Sequence, residues 1–375
     1  MRILHILNHV QEIGNGIVNV AIDLACLQAK AGHPVRVVSA GGEYKKLLAQ
    51  YGVKHLELNQ QRTPRNLLQA IRRYQRIIQD FQPDIVHVHM MTGVVLAWLC
   101  KFQFSYALVA TVHNEFQRSA VLMGLADRVI CVSQAVADSM ARRGISRSQL
   151  RVVANGTLGS PRCNRLDTYS ARPLQRPAIA TLAGMNYRKG IAELIQAFEQ
   201  IAPSFPTAHL YLIGDGPNRD AFEAQAQATA VSDRIHFEGF QPEPQSYLLA
   251  TDIFVLASHR DPFPLVISEA REAGCAIMAS QVDGIPEALE QGEAGLLVPP
   301  RNSRVLAANL TQLLENPNLL AQWQGRSRQN LEWLSVTRVV EEVNAVYEEL
   351  LGISTNAQNL SSGLKAEVHS SGLKP

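Results

Sequence analysis

Two acidic residues in the stretch SHRDPFPLVISEAREAG, residues 258–274, could hold hydroxyl groups on either side of an anion. Asp261 and Glu269 are eight positions apart, and on one unbroken helix their heights would differ by about 12 Å. Pro264 lacks an N–H group and suits the first helical position, so we predict a helix over about residues 264–273. Asp261 then lies in the loop before the helix, and Glu269 lies in its second turn.

The start of this predicted helix is a candidate anion site. The free N–H groups of residues such as Leu265 and Val266 form the positive end of the helix dipole, which suits a phosphate group. The pattern therefore predicts an anion site with an acid on each side. A structural interpretation stays open, in which Asp261 is only an N-cap and Glu269 a solvated helix residue.

The composition indicates a folded chain of more than one domain. It has 375 residues, of which 46% are hydrophobic, enough for sizeable cores. With 18% charged residues and a net charge of +2, the chain is neither disordered nor basic enough for a typical nucleic-acid-binding protein. The charge is uneven, since residues 1–165 carry 20 Lys and Arg but 9 Asp and Glu.

The cysteines and the apolar segments predict a cytoplasmic protein. The five cysteines are odd in number and widely spaced, which favours reduced thiols over a disulfide framework. The opening MRILHILNHV is too short an apolar run for a signal peptide. The segment GVVLAWLC, residues 93–100, falls short of the roughly 20 residues that a spanning helix needs.

Short runs rich in Val and Ile alternate with helical patterns along the whole chain. The runs are RILHIL, VRVVSA, DIVHVH, LVATVH, RVICVS and RVVANG, then AIATLAG, LYLIGDG, IHFEGF, IFVLAS and AIMASQ. Runs without strict alternation suit strands that are covered on both faces. We therefore predict an α/β fold of two doubly wound, Rossmann-like parallel-sheet domains that face a central cleft.

Changes in periodicity set the predicted domain limits. The N-terminal domain spans residues 1–165, and the second domain spans 166–333. Residues 334–352 form a closing helix, and 353–375 form a flexible tail that contains SSGLK twice. A recognition peptide is the alternative for the tail. A linker near residues 157–177 loses periodicity and gains Ser and Pro.

The order and spacing of several short motifs resemble family 4 glycosyltransferases with the GT-B fold, over about residues 1–350. They include IGNG, AGH, DIVHVHM, TVHN, VSQAVA, ANG, RKG, GDGP and DGIPE. The stretch DPFPLVISEA resembles that family's E-x7-E motif, with Asp261 in place of the first Glu and Pro264 in place of a Gly. The resemblance implies an N-terminal acceptor-binding domain and a C-terminal domain that binds a nucleotide sugar.

The resemblance also implies roles for single residues around the donor. Glu269 would hold the ribose hydroxyls, and Asp261 would hold the donor sugar together with the backbone of Phe263, Pro264 and Leu265. Lys189, in the family's Lys-Gly position, would contact the diphosphate.

Three further features follow from the same resemblance. Gly14 and Gly16 would let the first loop approach the diphosphate. A dinucleotide site is the rival interpretation of that loop, but the third glycine is missing. His113 would lie beside the reacting carbon of the sugar, and the backbone of Phe240 near the base.

One cation departs from the family's pattern. Members often have Gly-Arg before Lys-Gly, but Gly184 is followed here by Met185. Arg188 is the candidate replacement, and a plain surface arginine is the alternative.

No metal and no other cofactor is predicted beyond the nucleotide sugar as co-substrate. His87 and His89 share one side of a strand, and with His113 they could suggest zinc. No cysteine or carboxylate at ligand spacing accompanies them, and the chain lacks an Asp-x-Asp motif.

The resemblance implies a retaining glycosyltransferase that moves a sugar to an acceptor hydroxyl. A nucleotide-sugar epimerase of the same fold and a catalytically silent nucleotide-sugar-binding protein remain alternatives. The acceptor is unknown. A basic stretch favours an anionic acceptor or contact with the inner face of a membrane, with a solvated helix face as the alternative. Its arginines are Arg62, Arg65, Arg72, Arg73 and Arg76.

Overall fold

The computed structural model describes residues 1–60 and 64–353, with the side chains at 64–68 left out of the description. The first half of the chain forms a seven-stranded parallel sheet in the order β3-β2-β1-β4-β5-β6-β7. Its strands are β1 (Ile3–Ile6), β2 (Val35–Ser39), β3 (Lys54–Glu57), β4 (Ile85–Val88), β5 (Ala107–Val112), β6 (Arg128–Cys131) and β7 (Leu150–Val152). Its helices are α1 (Gly16–Lys30), α2 (Lys45–Gln50), α3 (Pro64–Phe81), α4 (Met91–Cys100) and α5 (Gln134–Arg142).

The second half forms a six-stranded parallel sheet in the order β10-β9-β8-β11-β12-β13. Its strands are β8 (Ala178–Leu182), β9 (His209–Ile213), β10 (Ile235–Gly239), β11 (Ile253–Leu256), β12 (Ala276–Ser280) and β13 (Leu296–Val298). Its helices are α6 (Ile191–Ile201), α7 (Arg219–Gln227), α8 (Gln245–Leu248), α9 (Leu265–Ala273), α10 (Ile285–Ala288), α11 (Ser303–Glu315) and α12 (Pro317–Ser327). The predicted fold of two Rossmann-like domains is confirmed.

Central strands are buried on both faces, which explains why their sequences do not alternate. Every residue of β1, β4, β11 and β12 is buried. The sequence pattern missed β3 and β13, which are edge strands of the two sheets. The ends of β3, Lys54 and Glu57, are exposed, so this strand lacks the apolar run that marks the central ones.

The last described helix, α13 (Val336–Leu351), returns to the first domain. Its buried face belongs to the same core as β1 and α1. This face consists of Val339, Val340, Val343, Val346 and Tyr347, at the spacing of one helical stripe. The predicted domain limits stay predictions, and residues 354–375 of the predicted tail lie outside the described residues.

Helix α9 lies almost where the sequence predicts it. Pro264 is the residue before the helix, and Gly274 ends it with a left-handed φ of +79°. Arg271 on its buried face is fully enclosed and donates to the carbonyl oxygens of Ala288 and Ser327. These bonds tie the helix to its neighbours and so fix the position of its N-terminus.

Four of the five cysteines are buried, and Cys163 is exposed. None of the described helices combines the length and the apolar character that crossing a membrane requires.

Candidate active site

A cavity of about 470 Å³ lies between the two sheets, where loops follow the carboxyl ends of their strands. Every residue that the sequence singled out as a site residue lines it. These residues are Gly14, Gly16, His113, Arg188, Lys189, Phe240, Asp261, Phe263, Pro264, Leu265 and Glu269. The two domains thus bring them to one place, although their individual roles stay predictions.

Two helix N-termini line this cleft. Helix α9 begins at Leu265, and no side chain caps it. In the described part of the chain, nothing accepts a hydrogen bond from the N–H groups of Leu265 and Val266. Helix α1 begins at Gly16, where Asn15 Oδ1 accepts from the N–H of Ile17 at 3.0 Å. Both ends favour an anion in the cleft.

Asp261 is buried, and its carboxylate pairs with Lys189. Lys189 Nζ donates to Asp261 Oδ2 at 2.6 Å, and Ser258 Oγ donates to the same oxygen at 3.2 Å. The N–H of Asp261 donates to Asp283 Oδ2 at 2.8 Å, which holds the loop in place. Lys189 ends a 3₁₀ turn, and Gly190 follows it with a left-handed φ of +66°.

Arg188 lies in the cleft wall next to Lys189 because both belong to that 3₁₀ turn. Its guanidinium donates to the carbonyl oxygen of Arg260 at 2.6 Å and lies over the ring of Phe116 at 4.9 Å. Met185 stands where the motif resemblance would place an arginine, and it is fully buried in the core of the second domain. A second cation is therefore present in the cleft, on a different turn.

Glu269 lies near a cation that the sequence did not reveal. Burial raises the pKa of Glu269, and the nearby Arg162 opposes that rise. Arg162 itself is held by Asp23, with Nε donating to Oδ1 at 2.8 Å and an Nη2 to Oδ2 distance of 3.0 Å. Both partners of this pair are buried, and Arg162 lines the cleft. The predicted linker near residues 157–177 therefore contributes to the site.

Little in the sequence marks Arg162, because it is one of four arginines in the aperiodic segment 157–177. Asp23 offers a weak signal, since it is an acid inside the apolar helical run VAIDLAC. A charge in such a position needs a partner, but the partner's identity depends on how the linker folds.

The first loop meets the second domain across the cleft. Gly14 has a left-handed φ of +67°, and a Cβ there would lie 3.3 Å from the ring of Phe240. A Cβ on Gly16 would lie 3.8 Å from Leu265 Cδ1. Gly14 therefore allows the loop before α1 to approach Phe240, whereas a Cβ at Gly16 would make only an ordinary contact with the start of α9.

His113 follows β5 and lines the cleft beside three buried histidines. Burial lowers the pKa of His113 to about 3, so the ring is neutral at physiological pH. His5, His87 and His89 lie behind it, with candidate ligand atoms within 4.8 Å of one another.

A metal site among these three histidines competes with existing hydrogen bonds. Both nitrogens of His87 are engaged, by the hydroxyl groups of Tyr347 at 2.6 Å and Thr111 at 2.7 Å. Both nitrogens of His5 and both of His89 also have partners. A metal ion would have to displace these partners. The absence of a metal stays a prediction, supported by this arrangement.

The site and fold have counterparts in known families. Residues 14–157 match the profile of Glycosyltransferase Family 4, and residues 167–330 match that of Glycosyl transferases group 1. Together these matches cover most of both domains. The chain belongs to the family 4 glycosyltransferases.

The relatives are distant, and they match different shares of the chain. It is 24% identical over 375 residues to the phosphatidyl-myo-inositol mannosyltransferase of Mycolicibacterium smegmatis, covering 96% of each protein. It is 28% identical over 206 residues to the lipopolysaccharide core biosynthesis glycosyltransferase LpsE of Rhizobium meliloti, covering 55% of this chain. That match spans 59% of the Rhizobium protein, less than two thirds of its length.

Solved structures share the fold. The UDP-glucose complex of Anabaena HepE superposes with a TM-score of 0.80 at 20% identity, covering 93% of this chain and all of HepE. WaaG, a glycosyltransferase involved in lipopolysaccharide biosynthesis, gives a TM-score of 0.73 at 14% identity, covering 92% of this chain and 99% of that one.

Proposed function

We propose that the protein is a retaining glycosyltransferase that moves a sugar from a nucleotide-sugar donor to an acceptor hydroxyl. The observation that carries this proposal is the uncapped start of α9 in the interdomain cleft, between Asp261 and Glu269 and beside Lys189. These groups suit the three parts of a nucleotide sugar, which are two hydroxyl-bearing sugars joined by a diphosphate.

Each group has a distinct part in the proposed reaction. The start of α9 and Lys189 bind the diphosphate and stabilise the charge that develops as the glycosidic bond breaks. Glu269 holds the ribose hydroxyls, and Asp261 holds the transferred sugar. The acceptor hydroxyl attacks from the face that the diphosphate leaves, and a diphosphate oxygen takes its proton. Neutral His113 accepts a hydrogen bond and is not a general acid.

The two carboxylates are proposed to bind and position, unlike the pair in a glycosidase. Asp261 is occupied by Lys189 and Ser258. The positive charge of Arg162 acts on Glu269. A glycosidase pair must flank one glycosidic bond at about 5 to 9 Å, each free to act on it.

A UDP-sugar is the first donor to test. Structures of HepE in complex with UDP and with UDP-glucose share the fold of this chain. One relative is named a phosphatidyl-myo-inositol mannosyltransferase and another a lipopolysaccharide core biosynthesis glycosyltransferase, so the relatives' names point to different acceptors.

An anionic acceptor, or contact with an anionic membrane surface, remains a hypothesis from the basic stretch on α3. Arg72, Arg73 and Arg76 are exposed there, while Tyr74 is buried. Arg62 lies outside the described residues, as does the side chain of Arg65. Co-sedimentation with vesicles tests the membrane version. Equal binding to neutral and anionic vesicles would contradict it.

Radiolabelled nucleotide sugars incubated with a cell extract test the proposed activity. We expect label from one donor to move to an acceptor, with the anomeric configuration of the donor retained in the isolated product. Conversion of the donor sugar without an acceptor would favour the epimerase. Binding of a donor without conversion would favour the silent binding protein.

A further inference from the structure

Five polar side chains form one hydrogen-bonded chain from the closing helix α13 to the cleft. Gln28 Nε2 donates to Asn344 Oδ1 at 2.9 Å, and Gln28 Oε1 lies 2.8 Å from His5 Nε2. His5 Nδ1 lies 3.0 Å from His89 Nε2. His89 Nδ1 lies 3.1 Å from His113 Nε2. This hydrogen-bonded chain of side chains therefore ends at His113, which lines the cleft.

The interior of this hydrogen-bonded chain is buried, and its rings are neutral. Gln28 and His5 are fully buried, and His89 is 3% exposed. Burial lowers the pKa of His5 to about 4, and it lowers that of His89 well below its usual range. A neutral imidazole has one N–H donor and one acceptor nitrogen. Every ring in the chain must therefore donate in one direction and accept in the other.

The Gln28 amide sets that direction. Its oxygen only accepts, so His5 carries its hydrogen on Nε2 and accepts at Nδ1. His89 must then donate from Nε2 and accept at Nδ1. His113 donates from Nε2 in turn, which leaves its Nδ1 as an acceptor. No described residue hydrogen-bonds to that nitrogen.

The Asn344 contact fixes the orientation of the Gln28 amide. Gln28 Nε2 donates to the side-chain oxygen of Asn344 at 2.9 Å. A reversed Gln28 amide would place its oxygen against this oxygen, and neither of them could donate.

We propose that Gln28, His5 and His89 are positioning residues that fix the tautomer of His113, so that its Nδ1 accepts a hydrogen bond from a hydroxyl of the donor sugar. This inference rests on the proposed function, because it places that sugar in the cleft. It also predicts specificity, because the substrate group next to His113 must donate a hydrogen bond to Nδ1. A fluorine or a carboxylate at that position leaves the nitrogen unpaired and is rejected.

The tautomer itself can be measured without substrate. In the full-length protein labelled with ¹⁵N-histidine, long-range ¹H–¹⁵N correlation at pH 7 should show His5, His89 and His113 protonated at Nε2 only. A hydrogen on Nδ1 of His113, or an imidazolium there, would overturn the proposal. This result stands whatever the donor proves to be, so it separates the inference from the proposed function.

A matched pair of variants tests the chain's direction. Gln28→Met removes the oxygen that accepts from His5 Nε2. The opposite direction of hydrogen bonding should then become populated, and His113 should show a hydrogen on Nδ1. Thr111→Val is the control, because it removes a partner of His87 in the same core and leaves the bonds from Gln28 to His113 intact. An unchanged His113 tautomer in folded Gln28→Met would contradict the proposal. If that variant fails to fold, the wild-type spectrum still decides.

Donor analogues supply the functional readout. The analogues are monodeoxyfluoro forms of the donor that the radiolabel experiment identifies. The wild-type enzyme should turn over one of them with a kcat/KM about tenfold or more below that of the donor itself. The ratio of kcat/KM for the donor to kcat/KM for this analogue should decrease in Gln28→Met and stay at the wild-type value in Thr111→Val. If Gln28 had only a structural role, Gln28→Met would lower kcat/KM for the donor and for the analogue equally. An unchanged ratio of the two values would therefore contradict the inference.

Discussion

Lys189 Nζ lies 2.6 Å from Asp261 Oδ2, and both side chains are largely buried in the wall of the cleft. The sequence assigns these residues to different parts of the donor, yet in the free protein they bind each other. A bound diphosphate would compete with the carboxylate for the same ammonium group. The diphosphate of a bound donor therefore has to share Lys189 with Asp261 or displace that carboxylate. Mutation of either residue tests this competition.

Lys189→Met should weaken binding of UDP by about tenfold or more, because a charge-assisted hydrogen bond to phosphate is lost. The variant also leaves Asp261 buried without its cation, so its unfolding temperature should fall. The double variant Lys189→Met/Asp261→Asn should recover the stability and not the binding. Calorimetric titration and thermal unfolding measure both. UDP binding at wild-type strength in Lys189→Met would remove this residue from the site.

Glu269→Ala should sharply reduce turnover of the nucleotide sugar, since the proposed ribose contact is lost. Glu272→Ala is the matched control, because Glu272 lies three residues further along α9 and does not line the cleft. Kinetics over a range of donor concentrations should show a raised KM for Glu269→Ala alone. Equal kinetics in the two variants would refute the ribose assignment.

The buried ion pair of Asp23 and Arg162 should affect both the stability of the protein and donor binding in the cleft. Asp23→Ala should cost about 3–5 kcal/mol, because it leaves the Arg162 guanidinium buried without its carboxylate. Asp23→Leu combined with Arg162→Met should restore much of that stability. Donor binding by this double variant should be weaker than that of the wild type, because Arg162 lines the cleft. Denaturant unfolding gives the free energies. An additive double variant would show that the pair is not coupled.

Gly190→Ala should be strongly destabilising and should displace the Lys189 turn. Gly190 has a left-handed φ, and a Cβ there would overlap the carbonyl oxygen of Ala257. Gly325 lies in α12, and a Cβ there meets nothing within 4 Å. Gly325→Ala should therefore stabilise the protein by about 0.5–1 kcal/mol, as a matched substitution in a helix. Thermal unfolding compares the two, and a mild effect at Gly190 would mean that the turn can relax.

Stability should fall as the pH drops from about 6.5 towards 4. The unfolded chain protonates its histidines near pH 6.5, whereas burial lowers the folded pKa of His5 to about 4. Between these values the unfolded state binds more protons, so acid favours unfolding, by on the order of 3 kcal/mol for this ring alone. Unfolding free energies at several pH values should show the slope. His5→Gln should reduce it, and an unchanged slope would contradict a neutral buried His5.

Local chemistry made much of the fold predictable. The β-rich runs without alternation identified the central strands, because covered strands have to be apolar on both faces. Two edge strands escaped: β3 carries polar residues at both ends, and β13 has only three residues, too few to stand out as a run. The start of α9 was predictable from Pro264 and its end from Gly274, since those two residues have strong intrinsic backbone preferences.

The motif residues could likewise be found along the chain, and the carboxyl-end rule for parallel sheets predicted that they would meet in a cleft. The sequence could not show that Lys189 pairs with Asp261, that Arg162 lies near Glu269, or that a chain of hydrogen bonds joins Gln28 to His113. These partners are separated by 72 to 107 positions or lie on different elements, and no local pattern joins them. Their contacts depend on how helices pack on sheets and how the two domains face each other, and only the tertiary structure decides that.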